Sequence, residues 1–140
     1  IKELINEHQE SGTNSCKLSY QVQGESTEFQ ADYSLIRYIF SNLLGNAIKF
    51  SDPGSEVKVM LDFEKDDLEV SFIDHGIGIP EEDQSKVFQS FYRGSNVSNV
   101  PGTGVGLSIV SEFVKLHKGK IKLVSEVGKG STFTLSLPKL

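Results

Sequence analysis

A single cysteine, Cys16, stands in the 140 residues, so no internal disulfide can staple the chain and the core must carry the fold. An unpaired thiol suits a reducing compartment, and a cytoplasmic setting is the expectation. No apolar run approaches the length of about 18 residues that a membrane span needs, so no membrane contact is expected of this stretch. No signal-peptide pattern opens it, and it begins with Ile1 rather than Met, which reads as a piece of a longer protein. Positive charge is also short. Lys and Arg total 14 against 19 Asp and Glu, for a net charge of -5. That balance argues against broad electrostatic binding to nucleic acid. It leaves room for a small anionic ligand, because a metal and a few local donors override a weak net field. With 37% hydrophobic and 24% charged residues, the composition fits one globular domain with a real core.

The strongest pattern runs from Tyr33 to Ser51, YSLIRYIFSNLLGNAIKFS. Ile36, Ile39, Phe40, Leu43, Leu44, Ala47 and Ile48 recur at helical spacing, and Asp32 precedes them as a candidate N-cap. Asn42, Asn46 and Lys49 follow the same period along the edge of that stripe. Two carboxamides and a cation beside a core are costly unless something meets them. Taken alone, they also read as surface groups.

Around this helix, Ile1 to Glu10 has the spacing of a short helix, and Lys17 to Gln23 alternates as a half-buried strand. Glu56 to Glu64 and Leu68 to Asp74 form a second pair of strands about a Lys65-Asp66-Asp67 turn. A short acidic helix starts at Glu81. Tyr92 to Gly106 has no period and reads as a long loop, the kind that often serves as a lid. Val105 to His117 is helical again, and Lys120 to Val127 and Ser131 to Leu137 form a last hairpin. Hairpins with helices to one side imply a two-layer α/β sandwich, its sheet mixed but mostly antiparallel, with about three helices on one face.

Three glycine clusters punctuate this pattern. Asp74-His75-Gly76-Ile77-Gly78 closes an apolar strand, and its glycines allow backbone to approach a flat ligand. Gly102-Thr103-Gly104-Val105-Gly106-Leu107 leads into a helix start, where free amides suit phosphate. Its spacing fits neither the P-loop nor the dinucleotide fingerprint. Gly128-Lys129-Gly130-Ser131-Thr132-Phe133 is a tight hairpin that has a purely structural reading as well.

In this order, the motifs resemble the ATP-binding catalytic domain of bacterial sensor histidine kinases. That domain belongs to a superfamily shared with type II topoisomerases, a class of heat-shock chaperones and mismatch-repair ATPases. NLLGNAIKF resembles the family's N box, DHGIGIP and GTGVGLSIV its two glycine boxes, FQSFYRG its F box, and GKGSTFTLSLP its terminal glycine motif. The likeness covers roughly residues 30 to 140 and implies the Bergerat ATP-binding fold for a single domain over 1–140, with 1–12 as the connection from an upstream domain.

The resemblance implies roles by position. Asn46 would coordinate the Mg²⁺ that bridges the nucleotide phosphates, a hard ion that accepts an amide oxygen and keeps its waters. Asn42 would line the same site, Lys49 would reach phosphate, and Phe50 would lie near the nucleotide. Asp74 would accept the adenine amino group, with Gly76, Gly78 and Ile79 beside it and Thr132 supporting the adenine edge. Tyr92, Arg93, Gly102, Thr103, Gly104, Val105, Gly106 and Leu107 would form the lid and its phosphate-closing base. Mobility of the lid is expected from Ser95 to Gly102.

Hydrolysing members of the superfamily usually carry Glu one turn before the metal Asn, and Asn42 stands there. An amide cannot act as a general base, so the implied chemistry is phosphoryl transfer to a positioned side chain. The implied acceptor is a histidine in a separate dimerisation domain of a homodimeric parent, with a response regulator downstream. His8, His75 and His117 do not fit the acceptor's surroundings. Two other readings stay open: a serine kinase of the anti-sigma type, and a nucleotide-binding module that works by protein contact alone.

Overall fold

A computed structural model describes residues 1–10, 16–25, 28–93 and 105–139. The expected lid segment from Ser95 to Gly102, with Thr103 and Gly104, lies outside the described residues. In chain order the elements are α1 (Lys2–Glu10), β1 (Lys17–Gln23), α2 (Tyr33–Phe50), β2 (Glu56–Phe63) and β3 (Asp67–Ile73). They are followed by α3 (Glu81–Gln84), α4 (Gly106–Leu116), β4 (Lys120–Glu126) and β5 (Gly130–Pro138).

The strands form one five-stranded sheet in the order β1-β2-β3-β5-β4. β1 pairs parallel to β2, with Lys17 opposite Glu56, and every other pairing is antiparallel. A parallel neighbour needs a crossover, and α2 supplies it. The mixed, mostly antiparallel sheet expected from the hairpins is therefore present, with four helices among the described residues, the fourth being the short α3.

The pleat sorts the sheet into two faces. Val57, Val59 and Leu61 of β2, Leu68, Val70 and Phe72 of β3, and Phe133, Leu135 and Leu137 of β5 are buried. They meet Ile39, Leu43 and Leu44 of α2 and Val110 and Val114 of α4. The other face is half-buried and polar, with the Ser71 and Thr134 hydroxyls bonded across β3 and β5 at 2.9 Å. Ile73, which breaks the alternation in sequence, belongs to this outer face opposite Lys58 and Thr132. β1 lies at the sheet's edge, where Tyr20 and Val22 are exposed rather than half-buried.

Asp32 caps α2 as its sequence position implies, accepting the Leu35 N–H at 3.0 Å. α1 packs into the same core through Leu4 and Ile5, and Arg37 of α2 holds Glu7 of α1 at 2.6 Å. None of the helices in the described residues is long and apolar enough to cross a membrane.

Candidate nucleotide site

One face of α2 carries the polar line noted in the sequence. Tyr38, Ser41, Asn42, Gly45, Asn46 and Lys49 line an open groove of about 380 Å³ along it. Asn46 Nδ2 donates to Asn42 Oδ1 at 3.2 Å. With its nitrogen committed to Asn42, the Asn46 carboxamide keeps its oxygen for something else. Among the described residues no group of three or more His, Cys, Asp or Glu side chains could hold a metal. An ion here would take one amide oxygen from the protein and its remaining ligands from water and phosphate, which suits Mg²⁺.

Lys49 follows one turn after Asn46 at the exposed end of the groove. Its ammonium stands 5.3 Å from the Phe50 ring centroid, a cation over an aromatic face. Desolvation, and then the charge of nearby Arg93, push its pKa down. The fold thus brings Lys49, Phe50 and Arg93 together, and two neighbouring cations favour a polyanion between them.

Gly106 starts α4 directly against Asn42: a Cβ on Gly106 would stand 2.3 Å from Asn42 Nδ2. The N-cap, Val105, makes no side-chain cap, so its own side chain does not take up the first-turn amides of α4 beside the groove. Leu107 packs on the core below. Gly106→Ala should push the Asn42 carboxamide aside and break the bond that orients Asn46. We expect it to weaken Mg²⁺-dependent nucleotide binding about tenfold, the scale of one lost oriented hydrogen bond, with little change in melting temperature. Calorimetric titration of the variant with and without Mg²⁺ checks this.

The second half of the site lies at the end of β3. Asp74 is buried, and its Oδ1 accepts two backbone N–H groups, from Gly76 at 3.0 Å and Ser131 at 3.1 Å. Among the described residues no donor reaches Oδ2. Desolvation pushes the carboxyl above the ordinary aspartate value, against the opposing pull of the Gly76 and Ser131 amides and of His75. Among the described residues no sealed-off side-chain oxygen lacks a partner, so Oδ2 keeps its contact with solvent and is open to a ligand's donor.

One sequence expectation changes here. Thr132 does not face Asp74. Strand residues alternate, so with Phe133 on the core side Thr132 lies on the outer face, paired with Ile73 and Val124. The neighbour of Asp74 is Ser131, buried, with its hydroxyl 2.7 Å from that of Ser125. Ser125 also accepts the Ile79 N–H at 2.7 Å, and Gln84 bridges the Ile79 and Ser125 carbonyls. Gly76 and Gly78 also press closely on the protein itself. A Cβ at 76 would stand 1.9 Å from the Phe50 carbonyl oxygen, and one at 78 would stand 2.2 Å from that of Glu126. These glycines let the loop after β3 wedge between the end of α2 and the β4–β5 turn, which aims Asp74.

The F box divides. Phe88 packs edge-on against Phe133, whereas Phe91, at φ 63°, is 77% exposed. Tyr92 gives its hydroxyl to buried Asp83, which raises the phenol's pKa. Sequence reasoning missed Tyr38, Ser41, Gly45, Gln84, Ser125 and Ser131. For Ser131 the signal was present, in the inward alternation of Phe133, Leu135 and Leu137.

Comparison with known proteins gives the family. The family described as histidine kinase-, DNA gyrase B- and HSP90-like ATPase matches residues 31–140. The chain belongs to this ATPase family. The circadian input-output histidine kinase CikA of Synechococcus elongatus is 40% identical over 124 residues, 87% of this chain and 16% of CikA. SenX3 of Mycolicibacterium smegmatis, a sensor-like histidine kinase, is 34% identical over 148 residues, 99% of this chain and 37% of SenX3. The chain thus spans well under half the length of these relatives. Among solved structures, the mycobacterial sensor histidine kinase MprB superposes with a TM-score of 0.85 at 27% identity, covering 99% of this chain and 95% of that one. The catalytic domain of histidine kinase ThkA, free of nucleotide, gives 0.82 at 27% identity, covering 99% and 93%.

Proposed function

We propose that this domain binds Mg·ATP and donates the γ-phosphoryl group to a histidine in a separate dimerisation domain, as the catalytic part of a two-component sensor kinase. The observation that carries the reading is Asp74, a buried carboxylate with one oxygen saturated by backbone and the other open. Such a group selects a ligand edge that carries an N–H donor, as the adenine amino group does.

The phosphates would run from there along α2, toward Asn46, Lys49 and the start of α4. Asn46 Oδ1 would hold Mg²⁺, which neutralises phosphate charge when bound. Lys49 and Arg93 would add fixed positive charge, and the first-turn amides of α4 would cradle oxygens. None of these groups can take a proton from water at the γ-phosphate. Asn42, an amide bonded to Asn46, stands where a base would be needed, which supports transfer to a held side chain over hydrolysis. Catalysis then rests on positioning and charge stabilisation.

The acceptor domain, a homodimeric parent, the response regulator and a cytoplasmic setting are parts of the same proposal. They are supported by relatives that are multidomain sensor kinases. α1 is then the element through which the upstream domain connects, held to α2 by the Arg37–Glu7 pair.

The test is calorimetric titration of the chain with a non-hydrolysable ATP analogue, with and without Mg²⁺, beside the GTP analogue. Saturable binding that prefers adenine and responds to Mg²⁺ is expected. Equal binding of the guanine analogue, or none of either at millimolar concentration, overturns the reading.

A further inference from the structure

α2 and α4 pack antiparallel and touch at three heights. At one end Gly106 rests on Asn42. In the middle the Tyr38 and Phe113 rings meet edge to face at 5.2 Å. At the other end, far along both helices from the Asn46 amide, His117 meets Asp32. The Asp32 backbone N–H donates to His117 Nε2 at 3.2 Å, and His117 Nδ1 lies 2.8 Å from the Phe113 carbonyl.

Those partners fix the imidazole's state. A backbone N–H can only donate, so Nε2 carries the lone pair. Nδ1 then carries the proton and gives it to the Phe113 carbonyl. Both ring nitrogens are in use. Its backbone is held as well: Lys118 turns into the left-handed region at φ 56°, and the Gly119 N–H closes on the Val114 carbonyl at 2.9 Å. The partner residue is equally constrained, because Asp32 is the N-cap of α2. The bond therefore ties the last turn of α4 to the first turn of α2. Rigid helices transmit such a tie along their length, and here the far end of the tie is the contact of Gly106 with Asn42.

We propose that His117 is a positioning residue for the phosphate and metal end of the site. It sets the register of α4 along α2, and so holds the start of α4 on Asn42 and the Asn42 amide on Asn46. It touches no nucleotide itself. The inference rests on the nucleotide-binding reading above, and the test separates the two.

Two substitutions split the two bonds of the ring. His117→Gln places an amide oxygen where Nε2 was and keeps the bond to α2. His117→Asn places an N–H where Nδ1 was and keeps only the bond within α4. Both are examined by hydrogen exchange of the Asp32 amide and by titration with Mg²⁺ and a non-hydrolysable ATP analogue. For His117→Gln we expect a protected Asp32 amide and affinity within about twofold of the parent chain. For His117→Asn we expect faster exchange at Asp32 and affinity lower by about five- to tenfold, the worth of one bond, in a chain that still melts cooperatively. Equal affinities for the two variants, with Asp32 exchange differing between them, would overturn the proposal, since the tie would then be broken without consequence for the site. Should the parent chain take up no nucleotide, the failure lies with the functional reading. The coupling is then read from exchange at the Ile109 amide in the first turns of α4. Faster exchange there in His117→Asn than in His117→Gln sustains the coupling, and equal exchange overturns it.

Discussion

Asp74→Asn should leave a domain at least as stable as the parent at neutral pH that binds adenine nucleotide about 100-fold more weakly. Asparagine's oxygen can occupy the place of Oδ1 and keep both backbone N–H groups, from Gly76 and Ser131. Its amide nitrogen then replaces the open Oδ2. A donor would confront the donor of the adenine amino group, and a charge-assisted bond would become a repulsive contact. Sites built to hydrogen-bond a ligand group discriminate this strongly once the pairing is reversed. Flipping the amide offers no escape, because it would abandon two buried N–H groups.

Stability moves the other way. Desolvation raises the Asp74 carboxyl above its unfolded value, so the group favours folding only where it is protonated. That contribution is complete below the unfolded pKa and is lost as the pH climbs through the folded one. At neutral pH the ionised carboxylate is a burden on the fold, and the neutral amide relieves it. Thermal melts across pH should therefore show the variant matching or exceeding the parent at pH 7, with its advantage shrinking in acid. Loss of binding together with a lower melting temperature at pH 7 would mean that Asp74 is an architectural residue.

The same residue shows what could be read from the sequence and what could not. Asp74 at the end of an apolar strand, followed by two glycines, was legible as a turn with room for a ligand, and the resemblance of the ordered motifs rather than the local pattern singled it out. α2 was legible outright, because its apolar period and Asp32 cap are both properties of one segment. The packing of the glycines was not legible. Gly76 and Gly78 meet Phe50 and Glu126, residues distant in sequence, and only the folded chain brings them together. The parallel pairing of β1 with β2 was hidden for the same reason, since an alternating strand has one pattern whichever way its neighbour runs. The misplacement of Thr132 is different in kind. The pleat of β5 was readable from Phe133, Leu135 and Leu137, and following it back two residues leads to Ser131. His117 carried no local signal. Its role depends on Asp32, 85 residues away.

Asn46→Ala is the other substitution with a large expected effect, and it separates metal from nucleotide. Asn46 sits half-buried on α2, and its one side-chain hydrogen bond among the described residues is the donation to Asn42. Alanine is the better helix former, which offsets the lost bond, so the variant should melt close to the parent. Asp74 and its network lie at the end of β3 and should still take the adenine. Nucleotide affinity measured without Mg²⁺ should therefore stay within about twofold. What disappears is the amide oxygen over the groove, and among the described residues no carboxylate cluster stands ready to replace it. The gain in affinity on adding Mg²⁺ should vanish, and phosphoryl transfer to the acceptor domain should fall by about two orders of magnitude or more, because charge neutralisation at the phosphates is the largest part of such catalysis. A variant that keeps the Mg²⁺ response would place the metal elsewhere, and one that loses adenine binding in the absence of Mg²⁺ would mean that Asn46 shapes the whole groove. The two substitutions then act on opposite ends of one ligand: Asp74→Asn should abolish base selectivity and leave the metal's ligand in place, and Asn46→Ala should do the reverse.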